Sequence, residues 1–123
     1  MRNVNSIVLS GADTGSVNGN AIDANQLISG SFHAVFGDAT AVGTVKIQAS
    51  NDVAPIQYTG SNGVGPFTPS NWADIPSASA SVTGGASVII SLAQMNYRWV
   101  RAVYTRTSGG SSTVIVNMNA LSM

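Results

Sequence analysis

Residues 44–50 read TVKIQAS, with Val45, Ile47 and Ala49 on one side of an extended chain and Thr44, Lys46, Gln48 and Ser50 on the other. Successive side chains of a strand point to opposite faces, so this alternation predicts a strand with one face buried. The pattern returns along the chain. SFHAVF (31–36) aligns Phe32, Ala34 and Phe36; SASASV (77–82) aligns Ala78, Ala80 and Val82; SVIISL (87–92) aligns Val88, Ile90 and Leu92. VIVNMNA (114–120) sets Val114, Val116, Met118 and Ala120 against Asn117 and Asn119. YRWVRAVYT (97–105) differs, with Trp99 and Val103 on one face and Val100, Ala102 and Tyr104 on the other. That strand is expected to be covered on both sides. SLAQMN (91–96) is long enough for one helical turn at most.

Between these segments lie GADTGSVNGN, GDATAVG, the long stretch 53–71, TGGAS and TSGGSS, all built from turn-forming residues. VTGGASV and TRTSGGSSTV read as hairpin connections, because glycine supplies the positive φ that tight reversals between strands need. Short strands separated by Gly-rich turns predict an all-β fold, an antiparallel two-sheet β-sandwich or jelly roll. At 123 residues the chain forms a single domain with one core. Residues 26–123 make the sandwich with an inserted loop at 53–71. Residues 1–25, rich in Asn, Gly and Ser and weakly patterned, are an N-terminal arm or a first strand region; as an arm they would lie on a neighbour and order there.

The formal net charge is zero, 8% of residues are charged, and there is no Glu. Nothing resembles the basic stripe that neutralises phosphates, so neither nucleic acid nor an anionic membrane is expected as a partner. The absence of Cys excludes disulfides, thiolate nucleophiles and Cys-ligated metals. Ile7–Leu9 is too short for a signal-peptide core and no segment is long enough to span a bilayer, so the chain is expected to be made in the cytoplasm without export. A surface of Ser, Thr, Asn, Gln and Gly carries few charges to keep neighbours apart, which points to contact with them; a neutral monomeric domain is the plain alternative.

A search for chemistry finds little. His33 is the only histidine, and it points away from Phe32 and Ala34, as a surface or subunit-contact residue would. The five Asp residues stand singly in turns, where Asp bonds its own backbone. ASND (49–52) and GADTG (11–15) carry hard oxygen donors, but without Glu or a twelve-residue ligand loop they make a weak calcium pattern. GSNGVG (60–65) lacks the strand-to-helix setting and the Lys of a phosphate loop. No catalytic residue, cofactor or metal is expected. Arg98, Arg101 and Arg106, beside aromatics in a strand, read as stacked or paired structural residues.

Taken in order, VKIQASND, NWADIPSASASVTGGAS and YRWVRAVYTRTSGGSSTVIVNMNAL resemble the small β-sandwich structural proteins of tailed bacteriophages, of the capsid decoration or cement kind, over about residues 26–121. A weaker likeness is to discoidin-type modules, carried by Ser50, Asn51, Asp52 and Trp72 and by Arg98, Val100 and Arg101. In both groups the loop between SND and W is short. Here it is extended by VAPIQYTGSNGVGPFTPSN, with Ile56, Tyr58, Val64 and Phe67 among polar residues.

The phage resemblance implies a virion protein on the capsid surface, assembled in the host cytoplasm, binding the major capsid protein and copies of itself. A trimer would suit a quasi-three-fold position of a shell. The inserted loop displays new surface on a fixed scaffold, with Ile56, Tyr58 and Phe67, together with His33, as interface candidates; alternatively Tyr58 and Phe67 fold back as a satellite cluster. Trp72 and Ile75 are expected to anchor the loop's return to the core. Two other functions stay open: a tail adaptor or baseplate subunit, and a carbohydrate-binding module for host recognition using Tyr58, Phe67, Trp72 or Trp99 as aromatic platforms.

Overall fold

The computed structural model describes residues 2–53 and 68–123. Nine strands occur among them: β1 (Arg2–Ala12), β2 (Val17–Asn18), β3 (Ile22–Asp23), β4 (Leu27–Phe36), β5 (Val42–Ser50), β6 (Ala73–Val82), β7 (Val88–Leu92), β8 (Trp99–Ser108) and β9 (Thr113–Ser122). There is no helix among the described residues, and SLAQMN ends β7 and passes into an irregular connection.

The strands form two antiparallel sheets, which we call A, in the order β1-β9-β4-β7, and B, in the order β2-β8-β5-β6, with β3 also on β8. Since β2 and β3 both lie along β8, they are two halves of one interrupted strand. Counted so, the strands pair from the outside inward: β1 with β9, β2 and β3 with β8, β4 with β7, and β5 with β6. The pairs β4–β9 and β5–β8 then join these ladders into sheets. A long hairpin folded over in this way is a jelly roll.

This wrapping corrects the reading of the glycine turns. Gly84 and Gly85 have φ of 61° and 65°, and the Ala86 N–H donates to the Thr83 carbonyl at 3.2 Å, as in a tight type I′ turn. Yet β6 belongs to sheet B and β7 to sheet A, so the turn is a corner between sheets rather than a hairpin. A Cβ on Gly85 would stand 2.1 Å from the Asp38 carbonyl oxygen, so glycine is needed for close approach as well as for φ. The β8–β9 connection likewise crosses from B to A. Turn residues dictate that the chain reverses, not which sheet receives the next strand. The β5–β6 connection alone joins neighbours in one sheet, and it is also the longest, running from residue 51 to 72.

Residues 2–12 are the first strand, paired with β9 from Arg2–Ser122 to Ala12–Thr113. An arm lying on a neighbouring molecule is not what this segment forms within the chain. Its pattern is weak because the register shifts between Ile7 and Leu9, so that Val8 and Leu9, adjacent in sequence, are both buried. A second shift, between Lys46 and Gln48 on β5, faces Pro76 and Ser77 of β6, where Ser77 has φ 62°. It sends both Ile75 and Ala78 inward. Pro76 lies on the edge strand of sheet B, where a missing N–H costs no ladder bond and discourages further pairing.

The core forms where the inner faces meet. Sheet A contributes Leu9, Phe32, Ala34, Ile90, Val114, Val116 and Met118; sheet B contributes Val45, Ile47, Ile75, Val82, Val100, Ala102 and Tyr104. As expected, β8 is covered on both sides: Val100, Ala102 and Tyr104 face the core, and Val103 on the opposite face is only 6% exposed.

Candidate functional site

With the inner faces committed to the core, function rests on the outer faces, the loops and the ends. Sheet A presents an outer face with an unusual composition. Its strands contain no Lys or Asp, their one Arg is Arg2 at the start of β1, and their only other titratable group is His33. Lys46, Asp74, Arg101 and Arg106 are all on strands of sheet B.

Register places the outward residues of sheet A in rows. Ile7 pairs with Asn117, Asn117 with His33, and His33 with Ile89, giving one row across all four strands. On one side lies Ser10–Ile115–Val35, and on the other Asn5–Asn119–Ser31–Ser91. Ile7, Val35 and Ile89 are 58%, 41% and 63% exposed, while His33 and Ile115 are half-buried. Strand spacing and rise give such a four-stranded face an area of roughly 500 Å2. The face is neutral, with β-branched side chains turned to solvent among Asn and Ser, which makes it a candidate contact surface. His33 therefore stands, as expected, on an outer face, at its centre. Ile7, Val35 and Ile89 did carry a signal in the sequence, as apolar residues in the polar phase of their strands.

The outer face of sheet B is charged, and Lys46, Asp74 and Arg101 on it are bonded locally. Lys46 pairs with Asp74 at 3.3 Å, Gln48 Nε2 donates to Asp74 Oδ1 at 2.9 Å, and Arg101 Nε donates to Gln48 Oε1 at 2.9 Å. The Arg101 guanidinium lies 4.5 Å from the centroid of the Trp72 ring, as expected of a stacked arginine. Arg106 is bound locally, Nη2 donating to the Gly109 carbonyl. Arg98 has neither kind of partner among the described residues. The expected anchoring by Trp72 and Ile75 divides: Ile75 is in the core, whereas Trp72 packs on the outer face beneath Arg101. Ile75 lies within β6 and Trp72 just before it, where the chain enters the strand on the outer side of sheet B.

The two ends of the β5–β6 connection are pinned together. Asp52 Oδ2 accepts the N–H groups of Ser70 and Asn71 at 2.9 and 3.0 Å, and Oδ1 accepts Asn71 Nδ2 at 3.1 Å. The Trp99 indole donates to the Asp52 carbonyl at 3.3 Å, and the Trp72 indole to the Pro69 carbonyl at 3.2 Å. Trp72 and Trp99 thus have their polar edges occupied within the fold. The interface candidates Ile56, Tyr58 and Phe67 lie outside the described residues.

The Asp52 carboxyl is held below the ordinary carboxylate range, first by the Asn71 N–H, then by that of Ser70. Asp38 is lowered by the Thr40 hydroxyl and N–H, and Asp74 by Gln48 and then Lys46. A carboxyl lowered in the folded chain contributes stability that is complete above its ordinary value, near 3.8, and is lost as pH falls through the lowered one. The thermal midpoint is therefore expected to be level from neutrality to about pH 5 and to fall steadily below about pH 4. Asp52→Ala should lower the neutral plateau and make the acid limb shallower; thermal melts of both proteins from pH 7 to about pH 2 check this. An acid limb unchanged in the variant would mean that Asp52 does not hold those ends together.

The other carboxylates also serve the backbone. Asp13, only 1% exposed, accepts the Ser112 N–H at 2.8 Å through Oδ1, and Asp23 Oδ1 accepts the Asn25 N–H at 3.0 Å. No cluster of three or more His or Asp side chains able to hold a metal occurs among the described residues. No family model, curated protein or solved structure matches the chain.

Proposed function

We propose that this protein is a structural component of a tailed-phage virion, a capsid decoration or cement protein that lies on the major capsid protein through the outer face of sheet A and touches copies of itself around it. The observation that carries the reading is that face: uncharged apart from His33 and the terminal Arg2, and bearing exposed Ile7, Val35 and Ile89. A face so poor in charge docks on an equally neutral surface while leaving few ions unpaired. Its area is smaller than the ~800 Å2 per partner of a standard interface, so one copy binds weakly and a shell of many copies holds by multivalency. The resemblance of the strand segments to phage virion proteins supports the same setting, as does the jelly roll, a fold used in viral coats among other roles.

The test is the stoichiometry of this protein against the major capsid protein in purified particles, by quantitative mass spectrometry. Copies comparable in number to the capsid subunits are expected. A few copies per particle would place the protein in the tail as an adaptor or baseplate subunit, and absence from particles would end the virion reading.

A further inference from the structure

At one end of the sandwich a cleft of about 600 Å3 opens between the β3–β4 turn, the exit of β5 and the β7–β8 connection. Its apolar wall includes Leu27 and Met95, both buried, and Met95 is seated so closely over Gly30 that a Cβ there would stand 2.6 Å from its methyl group. Around them stand the half-buried ring of Tyr97 and the side chains of Asn51, Gln94, Asn96 and Arg98.

The backbone framing the cleft is already tied. The Arg98 N–H donates to Asn51 Oδ1 at 3.0 Å, the Ala24 N–H to the Arg98 carbonyl at 2.8 Å, and the Met95 N–H to the Ile28 carbonyl at 2.9 Å. Apart from Asn25, whose amide donates to Asp23 Oδ1 at 2.9 Å, most of the polar side-chain groups on this frame are uncommitted. Among the described residues, no hydrogen bond or ion pair engages the side chains of Gln94, Asn96 or Arg98, and the Asn51 amide NH2 has none either. The tied backbone needs no reordering on binding, and the uncommitted side chains give up no internal bond, so the entropic cost that remains is the ordering of those side chains.

We propose that this cleft binds a carboxylated saccharide, with Arg98 taking the carboxylate and Asn51, Gln94 and Asn96 taking ring hydroxyls. The side-chain chemistry selects that class. Carboxamides supply paired donors and acceptors that match vicinal hydroxyls, and the Tyr97 ring with Met95 offers an apolar surface for the C–H face of a sugar ring. The planar guanidinium matches a carboxylate in two parallel hydrogen bonds. A phosphate dianion fits less well, since Arg98 is the one cation lining the cleft among the described residues and the N–H groups of Met95 and Arg98 are already bonded, leaving no backbone nest at those positions. The saccharide site proposed here does not use Trp72 or Trp99, whose polar edges are occupied, and it stands independently of the capsid assignment.

The test is an amide-resolved NMR titration of the full chain with trigalacturonate, N-acetylneuraminic acid and, as a neutral control, maltotriose. Shifts confined to residues around Asn51 and 94–98 are expected with at least one acidic ligand at low-millimolar concentration, with affinity at least ~10-fold weaker for maltotriose. Arg98→Gln should remove that preference for the acidic ligand with the thermal midpoint unchanged, because the guanidinium has no partner among the described residues. Absence of shifts at ~10 mM with both acids, shifts centred elsewhere, or acidic-ligand binding unaltered by Arg98→Gln would each overturn the proposal.

Discussion

Under the proposed decoration role, aspartate at both Val35 and Ile89 is expected to weaken affinity for the capsid by more than about 100-fold while leaving a folded protein. The two side chains are 41% and 63% exposed, on strands β4 and β7, so the substitutions put carboxylates into solvent and remove little core contact. On a docked face those carboxylates lose water without gaining a cation, because this side of the sheet offers only His33 nearby and a neutral partner offers none. An unpaired charge buried at a contact costs several kcal/mol, and about 2.7 kcal/mol already corresponds to 100-fold. Particles assembled with the variant, compared with the parent by mass spectrometry, give the occupancy, and circular dichroism melts report the fold. Full occupancy of a folded variant would remove sheet A from the shell contact. Lys46→Asp on the opposite sheet is the control and should leave occupancy within a few-fold of the parent.

The largest stability effect is expected from Tyr104→Ala. The core is filled mostly with Val, Ile and Ala, and among the described residues Tyr104 and Phe32 are the largest fully buried side chains. Tyr104 packs edge-on against Phe36 with ring centroids 5.1 Å apart, and its hydroxyl donates to the Val42 carbonyl at 3.3 Å. Burial pushes its pKa up, which keeps the hydroxyl protonated as that donor. The ring also covers the bare backbone of Gly43, where a Cβ would stand 2.7 Å from the tyrosine Cε1 and 2.4 Å from the Thr105 carbonyl oxygen. Truncation removes the ring and leaves a cavity that the flanking strands cannot close, at a cost of about 3–5 kcal/mol. For a domain of this length that lowers the melting midpoint by roughly 10–20 °C. Tyr104→Phe loses only the hydrogen bond, about 0.5–1.5 kcal/mol. Denaturant unfolding of both variants separates these terms, and equal losses in the two would show that the ring is not what fills this part of the core.

Several elements were readable because period-2 alternation is a local property. Val45, Ile47 and Ala49 on β5 and Val114, Val116, Met118 and Ala120 on β9 announce their buried faces within one short segment, and all are buried. The double-sided β8 was equally legible from Val100, Ala102, Tyr104 and Val103. Strand β1 was harder, since a single bulged residue inverts the phase between Val8 and Leu9 and hides the alternation. His33 could be placed on an outer face from its neighbours alone. Its company of Ile7, Asn117 and Ile89 could not, because those residues come from strands far apart in the chain.

By itself, then, the sequence determined that this protein is an all-β domain, which side of most strands is buried, and where the chain turns, because steric alternation and glycine's positive φ act over a few residues. Tertiary structure alone decided which strands share a sheet. The TGGAS turn reverses the chain equally well for a hairpin or for a corner between sheets, and the choice follows from burying both inner faces at once around Phe32 and Tyr104. That choice gathers strands poor in charge into sheet A and leaves its outer face neutral, and it brings Asn51, Gln94 and Arg98 to one end of the sandwich.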